Sequence, residues 1–563
     1  MAPTKEPAAV QAHDAVAADV KNQVEDYEAV VSDARAATHA EHTLTLREGL
    51  KRYPAAIGWS MLLSTAIIMT GFDIVLLGSF YGLPQFNQKF GVQLPNGSYT
   101  VTAAWQAGLS NGAKCGEIIG LAINGWAMER FGCRKTMITA LSWTVAMIFL
   151  PVFAQNVETI LAGQILMGVG WGVFETLTTT YAAEIMPVQL RPYLTAYVNM
   201  CWVLGQLVAS GALRGVLGLQ SEWAFRIPFA LQWMWPVPII IGCCFAPESP
   251  WWLVRKGRYE LAKKTVRRLV VKPTDDEVDS RVAMMIHTNA LEKAVAAGTS
   301  YWDCFKGIDL RRTEIAVGVW SVQNLCGAAF MGYSTFFLQQ AGLPTESSFD
   351  LSIGQYGLGL AGTICSWFLM TWIGRRKLYF WGLVVLTILL IVIGGMGFIS
   401  RDNTDSQWAV GAMLLIYTAA YDATVGPVCY TLVSEVSSTR LRGKTVVIAR
   451  VVYNVFGIVN GVIMPYMLNT EKLDWGAKTG LFWGGMCFLC ATWTYFRVPE
   501  PRGRTYGELD ILFQNKVSAR KFAKTSVDQF AHAEGGELAP AATNKSLEKA
   551  QEQMIEDAEK HSV

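Results

Sequence analysis

Asp73, Lys114, Glu117, Glu175 and Arg450 are ionisable residues inside stretches of this chain that are otherwise too apolar for water. A carboxylate in such a segment is costly unless a proton or a cation answers it, so each acid is a functional candidate by default. Asp73 lies well inside its segment, Glu117 midway along the next, and Arg450 just inside a later one. Burial favours the protonated acid and a nearby cation favours the carboxylate, so a cation that approaches and withdraws can load and release a proton. The competing reading is a static buried ion pair that holds helices together. Lys114 precedes Glu117 by three residues on one helical face, where it can neutralise that acid permanently. No nucleophile–base arrangement and no nucleotide-binding loop occurs, which argues against an enzyme. All six histidines, from His13 to His561, fall in the predicted tails or central loop. A histidine metal site or proton relay within the membrane is thereby excluded, and neither a metal nor a cofactor is expected.

These residues need elements to hold them. The 563 residues are 52% hydrophobic and 16% charged, with mean hydropathy +0.27, too few charges to cover a soluble surface. At about 20 apolar residues per span, twelve transmembrane helices are predicted, near 57–80, 104–126, 136–154, 159–183, 195–217, 227–246, 314–338, 350–373, 379–399, 407–434, 446–468 and 478–497. The cations Arg130, Arg134, Lys135, Arg375, Arg376 and Lys377, with a densely basic stretch from Arg255 to Arg268, all fall in alternate loops. By the positive-inside rule both termini and the central loop are cytosolic. The expected organisation is a cytosolic, largely disordered tail over 1–56, a six-helix bundle over 57–246, a central loop with short helices over 247–313, a second bundle over 314–497 and a cytosolic tail over 498–563. Thr274 to Glu277 has capping-box spacing inside that loop. The first fifty residues lack an apolar core, so no cleavable signal peptide is expected. None of the eleven cysteines falls in a predicted outer loop, which argues against a disulfide framework. Asn96-Gly97-Ser98 is a glycosylation acceptor in the first outer loop. A net charge of +2 gives no case for nucleic acid.

The two bundles repeat one another. AAEIMPVQLRPYL follows the fourth span and VSEVSSTRLRGKT the tenth, so Glu184 matches Glu435 and Arg191 matches Arg442, seven residues apart in each copy. ERFGCRK after the second span matches WIGRRK after the eighth, and PESPWW after the sixth matches PEPRGR after the twelfth. Three paired motifs in one order, roughly 240–250 residues apart, mark a six-plus-six duplication. Glu129, Arg130, Arg134, Glu184, Arg191, Arg375, Arg376, Glu435 and Arg442 are thus candidates for a conformational switch, in which ion pairs form in one state and break in another. Their simpler role is to anchor topology.

Gly71-Phe72-Asp73, Glu129-Arg130-Phe131-Gly132, PESPWWLVRKGR, QNLCGAAFMGYST, GPVCY and PEPRGRTYGELD together resemble the sugar porter family of the major facilitator superfamily, over about residues 50–510. WQAGLSNGAKCGEIIG, ETLTTTYAAEIMP, TVGPVCYTLVSE and LRGKTVVIARVVYNVFG look like its fungal α-glucoside branch, the maltose-type proton symporters. The resemblance implies an all-α major facilitator fold. It also implies proton coupling through Asp73, Glu117 and Arg450, and sugar binding through the paired amides Gln323 and Asn324, with Asn199, Asn454, Tyr333 and Tyr430 at matched positions. Tyr430 replaces the tryptophan of many relatives, and Ala329 stands where hexose porters place an asparagine, which points to a roomier site. Thr70 replaces a frequent second acid, Gln164 replaces a frequent arginine, and Glu175 is a possible substitute coupling group. The expected function is proton-coupled uptake of an α-linked di- or oligosaccharide across the plasma membrane by alternating access. Its partners are sugar, protons and the lipid bilayer, and the chain is expected to work as a monomer. Two other readings fit the same residues: an uncoupled facilitator of a hexose, another disaccharide or a polyol, and a sugar sensor.

Overall fold

The computed structural model describes residues 46–94, 97–187, 190–296, 300–399, 403–438, 441–469, 472–502, 504 and 506–525. Twelve long helices follow one another. The first six are α1 (Pro54–Phe80), α2 (Ala103–Phe131), α3 (Cys133–Val152), α4 (Val157–Ile185), α5 (Arg191–Val216) and α6 (Trp223–Phe245). The second six are α7 (Gly307–Gly332), α8 (Thr345–Ile373), α9 (Arg375–Met396), α10 (Thr404–Val436), α11 (Arg442–Leu468) and α12 (Thr479–Arg497). Successive helices within each half alternate in direction, and the central segment joins α6 to α7. The face that carries the central segment and both ends of the described chain is called basal, and the opposite face distal. Asn96, the candidate glycosylation site, lies outside the described residues, as do 1–45 and everything beyond 525.

Eight of these helices are long and apolar enough to cross a membrane on hydropathy alone. The other four are α2, α5, α8 and α12. Three of the four pack along the seam between the halves, α2 on α11 and α5 on α8, and there bury polar residues such as Gln106, Glu117, Asn124, Asn199, Ser210 and Gln355 in protein. The seventh span differs from its predicted bounds. It starts at Gly307 and stops at Gly332, and a separate helix, Ser334–Gln340, follows a break at Tyr333.

Small residues set how closely the helices approach, as expected where lipid supplies no hydrophobic drive between them. A Cβ on Gly116 would sit 2.1 Å from the Ile165 carbonyl oxygen, and one on Gly168 2.3 Å from that of Ala113. One turn on, Gly120 faces Val169 and Gly172 faces Glu117 in the same way, so α2 and α4 touch backbone to backbone. Gly71 and Gly205 bring α1 equally close to α5.

The repeated motifs build one device twice. Glu248, just beyond α6, accepts hydrogen bonds from the Cys133 and Arg134 amides at 2.8 and 3.3 Å and so caps α3. Glu500, just beyond α12, does the same for the Arg375 and Arg376 amides of α9 at 3.0 and 3.1 Å. Burial pushes the Glu248 carboxyl above its usual range, against the opposing pull of those amides. The caps require glycine before each helix. Gly132 and Gly374 have φ of 89° and 95°, and a Cβ would meet the capping carboxylate at 2.6 and 2.9 Å. The paired FG and IG motifs thus answer the paired PE motifs through space.

The central segment folds into Pro250–Arg255, Tyr259–Leu269 and Asp275–Ala296. Half of the expected capping box forms: Thr274 Oγ1 accepts the Glu277 amide at 3.3 Å, while the Glu277 carboxylate pairs with Arg52 at 2.6 Å. The chain after α12 is more ordered than a plain tail, since Tyr506–Gln514 and Ala519–Lys524 are helical. Phe513 lies under the Arg312 guanidinium at 4.7 Å, and Arg311 donates to the Val517 carbonyl.

Gly132→Ala and Gly374→Ala should each destabilise the protein by about 1–3 kcal/mol, the cost of a non-glycine residue in that backbone region. Thermal unfolding in detergent checks this, with Gly125→Ala, at a site with open space beside it, as the near-neutral control.

Candidate functional site

A cavity of about 220 Å³ lies between the halves, lined by residues of α1, α2, α5, α7, α10 and α11. Of the residues singled out in the sequence, Asp73, Glu117, Asn199, Gln323, Asn324, Tyr333 and Tyr430 line it. Ala329 lines it too, and leaves room at that point of α7. Asn454 and Arg450 are buried but do not line it.

Asp73 is held by neutral groups. The Gln232 side-chain amide donates to its Oδ1 at 2.7 Å and that of Gln164 at 3.3 Å. Gln232 reaches Asp73 because α6 is broken beside it. Pro236 cannot donate to the carbonyl four residues back, that of Gln232, and the chain tightens into a short 3₁₀ turn over Gln232–Met234. Thr70, which replaces a frequent second acid, is fully buried, and its hydroxyl has no hydrogen-bond partner among the described residues.

The charges of the site form two pairs. Lys114 Nζ lies 2.8 Å from Glu117, the same-helix neutralisation that the three-residue spacing foreshadows. Arg450 of α11 pairs with Glu175 of α4 at 2.5 Å, with the side chains only 6% and 2% exposed. The Arg450 guanidinium also lies 4.6 Å from the Tyr453 ring and 5.4 Å from that of Trp320.

On the other side of the cavity α7 widens into a π-helical turn over Asn324–Ala328, with Gly327 at φ 96°. Such turns recur at functional sites because they re-aim the side chains around them. Gln323 Nε2 donates to the Gly426 carbonyl at 2.9 Å, and Asn324 Nδ2 to that of Tyr453 at 2.9 Å. Both amides keep their side-chain oxygens out of these bonds. Tyr333 donates its hydroxyl to Ser110 across the halves at 2.7 Å. Tyr430 meets Trp320 edge to face. Asn199 has its Nδ2 unpaired, and Asn454 has both side-chain polar atoms unpaired, among the described residues.

Two residues of the site escaped the sequence reading. Gln232 was a polar residue in an otherwise apolar span. Asp422 lines the cavity from α10, 4% exposed, with no hydrogen bond or ion pair among the described residues. The criterion that selects Asp73, an acid inside an apolar run, selects Asp422 as well. It sits two residues before Thr424, where Pro427 interrupts α10 at φ −128°, ψ −79°.

The candidate switch residues pair within their own half or with the central segment. Glu184 binds Arg255 at 2.8 Å and also accepts from the Ser249 hydroxyl. Arg375 binds Glu435 at 3.1 Å. Arg134 and Arg376 donate to the Cys244 and Tyr495 carbonyls, at 2.5 and 2.7 Å. Arg130 stacks near the rings of Trp126 and Phe131, and the Glu129 carbonyl accepts from the Trp252 indole. Arg191 and Arg442 open α5 and α11, and their side chains lie outside the described residues.

Residues 59–513 match the family described as "Sugar (and other) transporter". The chain is 43% identical to the general alpha-glucoside permease of Saccharomyces cerevisiae over 519 residues, 91% of this chain and 84% of that one. It is 42% identical to the maltose permease MAL31 of the same yeast over 511 residues, 89% and 83% of the two chains. The fold resembles that of the proton:xylose symporter XylE bound to 6-bromo-6-deoxy-D-glucose, with TM-score 0.67, 20% identity, and coverage of 82% of this chain and 99% of that one. The inward-open xylose transporter XylE from E. coli gives TM-score 0.63 at 20% identity, covering 81% and 99%. A duplicated twelve-helix bundle around a central cavity, and a sequence match along most of its length, make this chain a member of the Sugar (and other) transporter family, a multi-pass membrane protein with the major facilitator fold.

Proposed function

We propose that the protein takes up an α-glucoside, a maltose-like di- or oligosaccharide, together with protons, by alternating access across the plasma membrane with both termini cytosolic. The observation that carries this reading is the cavity itself. Paired amides, aromatic rings and a buried acid converge there from both halves, the chemistry needed to hold sugar hydroxyls and ring faces. Support for the substrate class comes from the alpha-glucoside and maltose permeases that resemble the chain over nearly its whole length. Support for coupling comes from Asp73, a membrane-embedded acid whose two partners are neutral amides, so that a proton can be its counter-charge. Gln323, Asn324, Tyr333, Tyr430 and Asn199 are the proposed sugar ligands, with Asn454 behind them. Asp73, Glu117 and Arg450 are the proposed coupling groups, and the basal ion pairs the proposed switch.

One observation favours the uncoupled facilitator instead. Lys114 already neutralises Glu117 within its own helix, so that acid has less need of a proton. Labelled maltose uptake in a transporter-null yeast, with and without an uncoupler, separates the two. The symporter collapses with the proton gradient, whereas the facilitator ignores both the uncoupler and external pH.

If Gln323 binds a sugar hydroxyl, Gln323→Ala should raise the apparent KM for maltose about three- to tenfold at normal surface expression, as expected for one lost hydrogen bond of roughly 0.5–1.5 kcal/mol. An unchanged KM removes α7 from the binding site. Asp73→Asn mimics the protonated acid at nearly constant shape. It should abolish accumulation against a gradient at acidic external pH yet still exchange internal for external maltose. Retained accumulation assigns the coupling to another acid, with Glu117→Gln and Glu175→Gln as the comparisons.

A further inference from the structure

Contacts between the halves differ on the two sides of the cavity. Distally they are many and mostly uncharged. Ser79 bonds Thr335 at 3.1 Å, Gln339 Nε2 donates to the Gly82 carbonyl at 3.1 Å, and the Tyr81 and Tyr333 rings stack at 6.1 Å. A Cβ on Gly78 would sit 2.0 Å from the Gly332 carbonyl oxygen, so α1 and α7 touch directly. The distal ion pairs between the halves lie at the surface: Arg214, 36% exposed, meets Asp350 at 2.6 Å and Glu346 at 3.8 Å, and those acids are 56% and 76% exposed.

Basal to the cavity stands the Glu175–Arg450 pair. Arg450 lies about one turn of α11 before Tyr453, which lines the cavity, and Glu175 lies ten residues, about 15 Å of helix, from the basal end of α4. Among the described residues this is the one ion pair that joins the two halves with both side chains nearly fully buried. Glu175 belongs to the first half and Arg450 to the second. The groups around the pair come from every element packed on it: Glu117 and its partner Lys114 from α2, Trp320 from α7, Tyr430 from α10 and Tyr453 from α11. The Glu175 Oε1 atom has no hydrogen-bond partner among the described residues, so the pair is held through one carboxylate oxygen. A buried pair within one rigid body can stay closed throughout a cycle. A pair between two bodies that rock apart has to open, and water entering from the basal face is what makes its opening affordable.

We propose that Glu175 and Arg450 form the basal gate of the cavity. The pair closes the path toward the central segment in this state and separates when the cavity opens to the basal face. Glu175 acts as the positioning residue that holds Arg450 across the seam. This rests on the transport reading above.

The test links the two positions. Glu175→Cys/Arg450→Cys is made with Cys115, Cys244, Cys365 and Cys429 replaced by serine, which removes the exposed thiols and the one beside Arg450. It is then bridged with a short bifunctional thiosulfonate. If the pair is a gate, bridging lowers maltose exchange at least tenfold and a reducing agent restores it. Full exchange in the bridged protein overturns the gate and leaves a static strut. A second arm needs no transport. Val203 lines the cavity at 2% exposure, and Val203→Cys is labelled by an impermeant thiosulfonate from each face of sealed vesicles. Combining it with Glu175→Gln/Arg450→Gln should raise labelling from the basal face at least fivefold, and an unchanged rate overturns the proposal. A parent protein that moves no maltose counts against the proposed substrate alone, since the labelling arm is still read.

Discussion

A charge sealed from water needs a partner, and much of this molecule is organised around supplying one. Lys114 serves Glu117 within a helix, Arg450 serves Glu175 across the seam, and two amides serve Asp73. These solutions are not equivalent. A same-helix pair moves as one unit and is indifferent to how the halves are arranged. A cross-seam pair exists in only some arrangements. Amides satisfy the geometry of an acid without cancelling its charge. The position of each partner, more than its chemistry, decides whether a buried charge can respond to motion.

The same arithmetic recurs at the basal surface. Glu248 and Glu500 close the N-termini of α3 and α9, where free amides concentrate positive potential. Each half therefore carries its own fastening from its sixth helix to its third. The ion pairs seen at the basal ends, Glu184–Arg255 and Arg375–Glu435, likewise stay within a half or tie it to the central segment. Backbone contact through Gly116, Gly120, Gly168 and Gly172 makes the first half stiffer still. Stiff halves with a softer seam are what rocking about a central cavity requires.

Much of this was legible in the sequence, for identifiable reasons. The duplication showed because motifs at helix ends must meet fixed partners, so their order and spacing persist. The cavity acids Asp73 and Glu117 showed because acids are rare in apolar runs. Asp422 satisfied the same criterion and was missed, standing between the aromatic Tyr421 and the break at Thr424. Gln232 could not have been assigned to Asp73 from spacing, because their meeting depends on the kink at Pro236 and on packing across 159 residues. The Arg450–Glu175 pair was out of reach for the same reason. Each partner was identifiable alone, but 275 residues separate them, and only the seam brings them together. Hydropathy undercounts the spans at α2, α5 and α8 because helices that face a polar seam need not be apolar all round.

The two capping glutamates also have a consequence in time. The amide ends of α3 and α9 wait for carboxylates that lie 115 and 125 residues further along the chain. At roughly 5–20 residues per second of synthesis, each third helix spends some 6–25 s with its end unanswered. During that interval the half has no fixed basal edge, and Cys133 and Arg375 present bare amides to whatever surrounds the nascent chain. Completion of the sixth helix then fastens the unit in one step. The first half can thus be finished before the second has begun to insert, so the duplication is a schedule of assembly as well as a symmetry of shape.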